Sequence, residues 1–149
     1  MKAFLCKMAV STVALMLVSS SVFAAAGWGD DYEKGLAQAK AEKKLLVLDF
    51  TGSDWCGWCI KLDKEVFSKK EFKDYAKDNL VLVEVDFPQS KQQTKKLKAQ
   101  NEKLQGQFGI KGYPTIVVLN GEGKKVGELG YQEGGPGPFT AKLDALKGK

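Results

Sequence analysis

Short apolar runs separated by longer polar stretches constrain the fold of this chain more than any other feature of its 149 residues. Each run is nearly continuous and of strand length, which is typical of strands that are buried on both faces of a parallel sheet. Parallel strands need long crossover connections, usually helices, so this alternation predicts an α/β fold. The predicted strands of this kind cover residues 45–50, 80–86 and 115–119.

The stretches around these runs have the apolar spacing of helices. Asp30 and Asp31 lie near the start of the first stretch, where the helix dipole favours acidic residues. Ser68 and Glu71 form a capping-box pair, which predicts that a separate helix begins there. The predicted helices cover residues 30–44, a segment from 56 onward, and residues 68–77, 91–108 and 139–146.

A turn motif after the third strand predicts a hairpin, and with it a fourth strand. Residues 120–123 read Asn-Gly-Glu-Gly, which is typical of a hairpin, and residues 125–129 return as a fourth strand. The predicted order is α-β-α-β-α-β-β-α, which corresponds to a central mixed sheet of about four strands flanked by helices. No strand is predicted before the first helix.

The first 24 residues have the pattern of a secretory signal peptide. Lys2 and Lys7 lead into a short apolar run, and small residues follow up to a cleavage site after Ala24 or, alternatively, Ala26. The run is shorter than the roughly 20 residues of a membrane span, and an uncleaved anchor is the alternative interpretation. We therefore predict a periplasmic or otherwise exported protein with a single domain at residues 25–149.

The residue types that the chain lacks exclude several kinds of chemistry. It contains no His, which excludes Ser-His-Asp and Cys-His catalysis and the common zinc sites. Its 23 basic residues are all Lys, whereas bidentate contacts to bases and phosphates favour Arg. We therefore expect no metal, no cofactor and no nucleic-acid partner. The Lys-rich stretch at 91–103 is interpreted as a solvated helix face, with docking of an acidic partner as the alternative.

Cys56 and Cys59 remain once Cys6 is removed with the signal peptide, and they are candidate catalytic residues. They lie where a strand and a loop lead into a predicted helix. At a helix N-terminus, unpaired backbone N–H groups and the dipole favour a thiolate on Cys56, and the thiolate is the attacking species. Cys59 lies one turn later on the same face, where it can attack a mixed disulfide at Cys56. Gly57 leaves room for a substrate chain.

A second motif, Gly112-Tyr113-Pro114-Thr115, precedes the third of the apolar runs. Together with Leu48-Asp49-Phe50 and Trp55-Cys56-Gly57-Trp58-Cys59, it resembles the thioredoxin-like thiol:disulfide oxidoreductases over residues 30–147. The pattern is similar to the exported thioredoxin domain of thiol:disulfide interchange proteins, which carries a D-W-C-x-x-C-K run. Thioredoxin itself has Pro where Trp58 stands, and an aromatic residue there is typical of isomerase-type pairs.

The resemblance implies a thioredoxin-like fold and substrate contacts around the cysteines. In the family, the Pro is cis and packs beside the CxxC pair, and the backbone of its neighbour pairs with the substrate strand. These roles transfer to Pro114 and Tyr113. The candidate substrate-binding residues are Trp55, Gly57, Trp58, Tyr113 and Pro114.

The resemblance also makes Asp49 the candidate proton acceptor for Cys59. The family's buried acid precedes the first Cys by six positions, whereas Asp49 precedes Cys56 by seven, so the loop here holds one extra residue. Leu82 occupies the place of the Lys that often pairs with that acid. A carboxylate without a proton role is the alternative for Asp49.

We predict a monomeric protein disulfide reductase or isomerase that exchanges disulfides with protein thiols and receives electrons from a membrane protein. No His lies between the cysteines to stabilise the thiolate, and Lys61 is expected to face solvent, so the reduction potential is expected near the reducing end of the range. The alternatives are a thiol oxidase, a non-catalytic module that binds extended peptides, and a purely structural Cys56–Cys59 disulfide.

Overall fold

The computed structural model describes residues 27–149. The predicted signal peptide and both of its cleavage sites lie outside these residues. The described chain forms one sheet of five strands in the order β1-β3-β2-β4-β5. The strands are β1 Trp28–Gly29, β2 Leu45–Thr51, β3 Leu80–Asp86, β4 Thr115–Leu119 and β5 Lys125–Leu129.

Strand β1 corrects the predicted strand count. It pairs in parallel with β3, with Trp28 opposite Leu82 and Gly29 opposite Val83. Two residues are too few to show the alternation or the apolar run from which a strand is predicted, so only tertiary pairing reveals it. The mixed α/β architecture is confirmed, with five strands instead of about four.

Strand β2 is central, and its two neighbours run in opposite directions. It pairs in parallel with β3, where Asp49 lies opposite Glu84, and antiparallel with β4, where Asp49 lies opposite Ile116. Strands β4 and β5 form the predicted antiparallel hairpin. The carboxyl ends of β2 and β3 therefore meet at one edge of the sheet.

Within residues 27–149, five α-helices connect and cover the sheet. Asp31 caps the first helix and Thr94 the fourth, each accepting a backbone N–H with its side chain. A π-helical segment, Asp63–Phe67, continues the second helix. The helices are α1 Tyr32–Glu42, α2 Gly57–Leu62, α3 Lys70–Asn79, α4 Lys95–Phe108 and α5 Pro136–Asp144.

The predicted capping box at the start of α3 is wrong. The cap position is Lys69, which makes no side-chain cap bond. The Ser68 hydroxyl instead donates to Asp63 Oδ2 at 3.0 Å, because the preceding π-helical segment brings that carboxylate within reach. The start of α4 is also four residues later than predicted, and the residues before it belong to a loop described below.

The sheet separates two apolar clusters. One contains Leu62 of α2, Phe72 of α3 and Phe139 of α5, and the other contains Ala39 of α1 and Leu104 of α4. Helices α2, α3 and α5 therefore cover one face of the sheet, and α1 and α4 cover the other. Among residues 27–149, no helix has both the length and the apolar character needed to span a membrane.

Candidate active site

The two cysteines lie at the start of α2, as predicted. Cys56 is the cap residue of this helix, with extended backbone, and Cys59 lies within its first turn. A disulfide joins them, with 5.2 Å between the Cα atoms. The Cys59 backbone N–H donates to Cys56 Sγ at 3.2 Å, so the sulfur occupies the position of a capping side-chain acceptor. This position favours negative charge on Cys56 when the disulfide is reduced.

Both sulfurs are largely covered, while their aromatic neighbours are exposed. Cys56 is 7% exposed and Cys59 is 5% exposed. Trp55 and Trp58 are 42% and 58% exposed. A Cβ added at Gly57 would have no atom within 4 Å, so open space adjoins the backbone between the cysteines.

The Tyr113–Pro114 peptide bond is cis, as the family resemblance implied. The Tyr113 ring stands edge-on to the ring of Trp55, with 5.9 Å between centroids, and lies 5.3 Å from the ring of Phe87. The fold thus brings the residue before Pro114 against the residue before Cys56. Trp55 is therefore both a packing residue and a half-exposed surface beside the cysteines.

Trp58 takes part in a second aromatic contact, on the side of β5. Its ring lies 5.1 Å from that of Tyr131, and Lys61 Nζ lies 5.1 Å from the Trp58 centroid and 5.0 Å from the Tyr131 centroid. The Tyr131 hydroxyl donates to Glu65 Oε2 at 2.7 Å. The Lys61 side chain is 41% exposed, in agreement with the expectation that it faces solvent, and its ammonium group lies over these two rings. Tyr131 was not predicted as a site residue, because nothing in its local sequence shows that it approaches α2.

A hydrogen-bonded clamp holds the loop before Cys56, and the sequence did not predict it. The Asp54 carboxylate accepts backbone N–H groups from Gln89, Ser90 and Lys91 at 3.0, 2.7 and 3.2 Å. These bonds hold the pKa of the Asp54 carboxyl below its usual value. The Trp55 indole N–H donates to the Phe87 carbonyl at 2.7 Å. The loop that holds one extra residue is thus attached to the segment that follows β3.

Ser53 extends this clamp. Its backbone N–H and its hydroxyl donate to the two carboxylate oxygens of Asp86, at 2.9 and 2.6 Å. The Lys91 ammonium donates to the Ser53 hydroxyl oxygen at 2.9 Å. The sequence offers one weak signal for the clamp, since polar residues follow both parallel strands where their carboxyl ends meet.

Asp49 lies on the same face of β2 as Leu45 and Val47, the face that α2 covers. It is 9% exposed, and its Oδ1 has no hydrogen-bond partner among the described residues. Burial, followed by the negative charges of Glu84, Asp63 and Asp86, holds the pKa of the Asp49 carboxyl well above its usual value. Asp49 and Cys59 line the same cavity of about 290 Å³. Leu82 was the expected counterpart of the Lys that pairs with the family's acid, but it lies opposite Val47 in the core, and the residue opposite Asp49 is Glu84.

Comparison with known proteins identifies the family. The sequence profile of the thioredoxin-like domain matches residues 32–147. The chain belongs to the thioredoxin-like family. Together with the Cys56–Cys59 pair, this makes it a disulfide oxidoreductase. Among the residues that the structure describes, no three His, Cys, Asp or Glu side chains group as metal ligands would.

Individual relatives agree with this assignment. The chain is 38% identical over 119 residues to the disulfide bond reductase DsbH of Chlamydia pneumoniae, covering 79% of this chain and 72% of that protein. A solved structure of a DsbH oxidoreductase superposes with a TM-score of 0.77 at 34% identity, covering 91% of this chain and 94% of that one. The thiol:disulfide interchange protein DsbD of Pseudoalteromonas atlantica is 32% identical over 97 residues, 65% of this chain, but the match spans only 15% of its length.

Proposed function

We propose that this protein is an exported thiol:disulfide oxidoreductase that works in the reductive direction on protein disulfides. The observation that carries the proposal is a CxxC pair at a helix N-terminus, in a chain that is 38% identical to a disulfide bond reductase. Reduction of substrate disulfides, with isomerisation as a related outcome, fits a site where Trp58 and not a charged residue lies between the cysteines.

The proposed reaction transfers two electrons from the reduced cysteines to a substrate disulfide. The Cys56 thiolate attacks one sulfur of the substrate, forming a mixed disulfide and releasing the other substrate sulfur as a thiolate, which takes up a proton. Cys59 then loses its proton and attacks Cys56 Sγ. This step forms the Cys56–Cys59 disulfide and releases the second substrate thiol. The pair is oxidised, the substrate is reduced, and no cofactor takes part.

The substrate is proposed to lie across the open surface above Gly57, between two aromatic groups. Trp55 packs against Tyr113, and Trp58, the residue before Cys59, packs against Tyr131. An extended segment placed there can pair with the backbone at Tyr113, beside the cis Pro114. The clamp at Asp54 holds Trp55 in this position and so preorganises one wall of the groove.

Asp49 is proposed as the proton acceptor for Cys59. A general base works best when its pKa lies near the working pH, and burial raises the pKa of this carboxyl in that direction. The unpartnered Oδ1 and the cavity shared with Cys59 provide room for direct or water-mediated proton transfer.

The partners follow from the direction of electron flow. After each turnover the disulfide must be reduced again, and we propose that a membrane electron donor of the interchange-protein type does this outside the cytoplasm. The similarity to DsbH and DsbD supports this proposal, as does the predicted signal peptide. We propose that the protein acts as a monomer without nucleic acid.

The reduction potential of the cysteine pair tests the direction. Equilibration of the protein against glutathione buffers is expected to give roughly −200 to −270 mV, because a backbone N–H of α2 donates to Cys56 Sγ and the chain has no His to add a charged donor. A value near −120 mV, typical of a strong oxidant of this fold, would instead make the protein a thiol oxidase.

Insulin reduction by dithiothreitol separates an enzyme from a binding module. The protein is expected to accelerate precipitation of reduced insulin, and the Cys56→Ser variant, which retains the aromatic groove, is the matched control. Equal rates with the two proteins would favour a module that binds peptides without exchanging disulfides.

A further inference from the structure

The strand side chains that face α2 change from apolar to acidic at the carboxyl ends of β2 and β3. Alternate residues of a strand share one face, and paired residues of neighbouring strands point the same way. Asp49 and Glu84 are such a pair in the parallel register. The face reads Leu45, Val47, Asp49 along β2 and Leu80, Leu82, Glu84 along β3. Two carboxyl groups thus lie side by side at the end of an apolar stripe.

Both acids open onto the cavity that reaches the second cysteine. Asp49, Glu84 and Cys59 line the same space of about 290 Å³. Asp49 is 9% exposed, and its Oδ1 is buried without a hydrogen-bond partner among residues 27–149. The lining of this cavity therefore includes a carboxyl group whose hydrogen-bonding capacity is not fully used.

The charges around the pair are mostly negative. Asp63 of the π-helical segment and Asp86 of β3 act on both carboxyl groups, and Asp30 acts on Glu84. Lys91 also lines the cavity and opposes this trend at Glu84. Two neighbouring carboxylates in such surroundings cannot both ionise without a cost, so a proton taken up by one is stabilised by the other.

We propose that Glu84 is a positioning residue for the resolving step. Its carboxyl group makes Asp49 the base that accepts the proton of Cys59, and the carboxyl groups of Asp49 and Glu84 then share that proton. This inference rests on the proposed function, in which Cys59 resolves the mixed disulfide. The Cys59 S–H bond breaks, and its proton moves to the Asp49 carboxylate beside the Glu84 carboxylate. The freed thiolate attacks Cys56 Sγ, the mixed-disulfide bond breaks, and the substrate sulfur leaves as a thiolate. When the disulfide is next reduced, the same proton can return to Cys59.

The test follows the two exchange steps separately as a function of pH. The aromatic disulfide dithiobis(nitrobenzoate) releases one coloured thionitrobenzoate ion when Cys56 attacks it. It releases a second when Cys59 attacks the mixed disulfide on Cys56. In stopped-flow measurements on the reduced protein, Glu84→Gln is expected to lower the pH midpoint of the second phase by about one unit, because an amide cannot raise the pKa of Asp49. The second phase is expected to shift more than the first.

Three further variants keep the test decisive. Glu84→Leu is expected to shift the midpoint as Glu84→Gln does, and Glu84→Asp, which keeps the carboxyl group, is expected to retain the wild-type midpoint. Glu122→Gln, in the hairpin turn, is the matched control and is expected to change neither phase. An unshifted second phase in Glu84→Gln, or a Glu84→Asp profile shifted like that of Glu84→Gln, would overturn the inference. Loss of the second phase in the wild type would contradict the proposed role of Cys59 itself.

Discussion

At the scale of single residues, the site assigns different environments to two similar thiols. Cys56 Sγ accepts the backbone N–H of Cys59 at the end of a helix, whereas Cys59 faces a cavity lined by carboxyl groups. The first environment favours a thiolate and the second disfavours one. Cys56 is thus suited to attack a substrate, and Cys59 is suited to stay protonated until the mixed disulfide has formed.

Single substitutions of the cysteines test this division of roles. Cys59→Ser is expected to accumulate a mixed disulfide with substrate protein through Cys56, because no thiol remains to resolve it. Cys56→Ser is expected to trap none. Non-reducing electrophoresis of the two variants after exposure to a disulfide-containing protein measures the adduct. Faster alkylation of Cys59 than of Cys56 in the reduced wild type would reverse the assignment.

At the scale of elements, two glycines in helices have opposite surroundings. A Cβ added at Gly35 of α1 would lie 2.5 Å from Val83 Cγ2 and 3.3 Å from Leu46 Cδ1, so this glycine allows α1 to pack closely on the sheet. A Cβ added at Gly106 of α4 would have no atom within 4 Å. The same substitution therefore has different physical consequences at the two positions.

Gly35→Ala is expected to lower the free energy of unfolding, because overpacking costs about 1–3 kcal/mol and exceeds the roughly 1 kcal/mol gained in helix propensity. Gly106→Ala is expected to raise it by about 0.5–1 kcal/mol, since only the propensity gain applies. Urea unfolding of the oxidised proteins measures both changes. Equal effects of the two substitutions would show that α1 is not held closely against β3.

At the scale of the whole molecule, the buried carboxyl groups link stability to pH. Burial and neighbouring acids raise the pKa of Asp49 in the folded protein, whereas the unfolded chain has the ordinary Asp value of about 3.9. Between these two values the folded state binds more protons than the unfolded state. The contribution of Asp49 to stability therefore falls as pH rises through this window and levels off above the folded pKa.

Replacing Asp49 by Asn is expected to remove this dependence. The stability of Asp49→Asn relative to the wild type should increase as pH rises above about 4, by about 1.4 kcal/mol for each unit by which folding raises the pKa of Asp49. Urea unfolding of the oxidised proteins at several pH values measures the difference, with the exposed Asp78→Asn as control. A stability difference that is constant with pH would contradict the raised pKa of Asp49.

Local pattern was enough to predict most of the fold and the reactive pair. The strands at 80–86, 115–119 and 125–129 have the predicted bounds, because runs of apolar residues and a hairpin turn are local signals. The placement of Cys56 at a helix N-terminus was predicted in the same way, because the spacing of apolar residues becomes helical from Cys56 onward. The cis Pro114 followed from the family resemblance, not from the residues alone.

Only the tertiary structure decided what lies around the cysteines. Strand β1 forms because its backbone pairs with the outer edge of β3. The clamp at Asp54 forms because the carboxyl ends of the parallel strands β2 and β3 lie side by side. Asp49 and Glu84 are neighbours through the register of β2 with β3, although 35 positions separate them in the sequence. Sequence pattern reports which residues are buried along one element, whereas contacts between elements depend on strand order and register, which are set by packing of the whole chain.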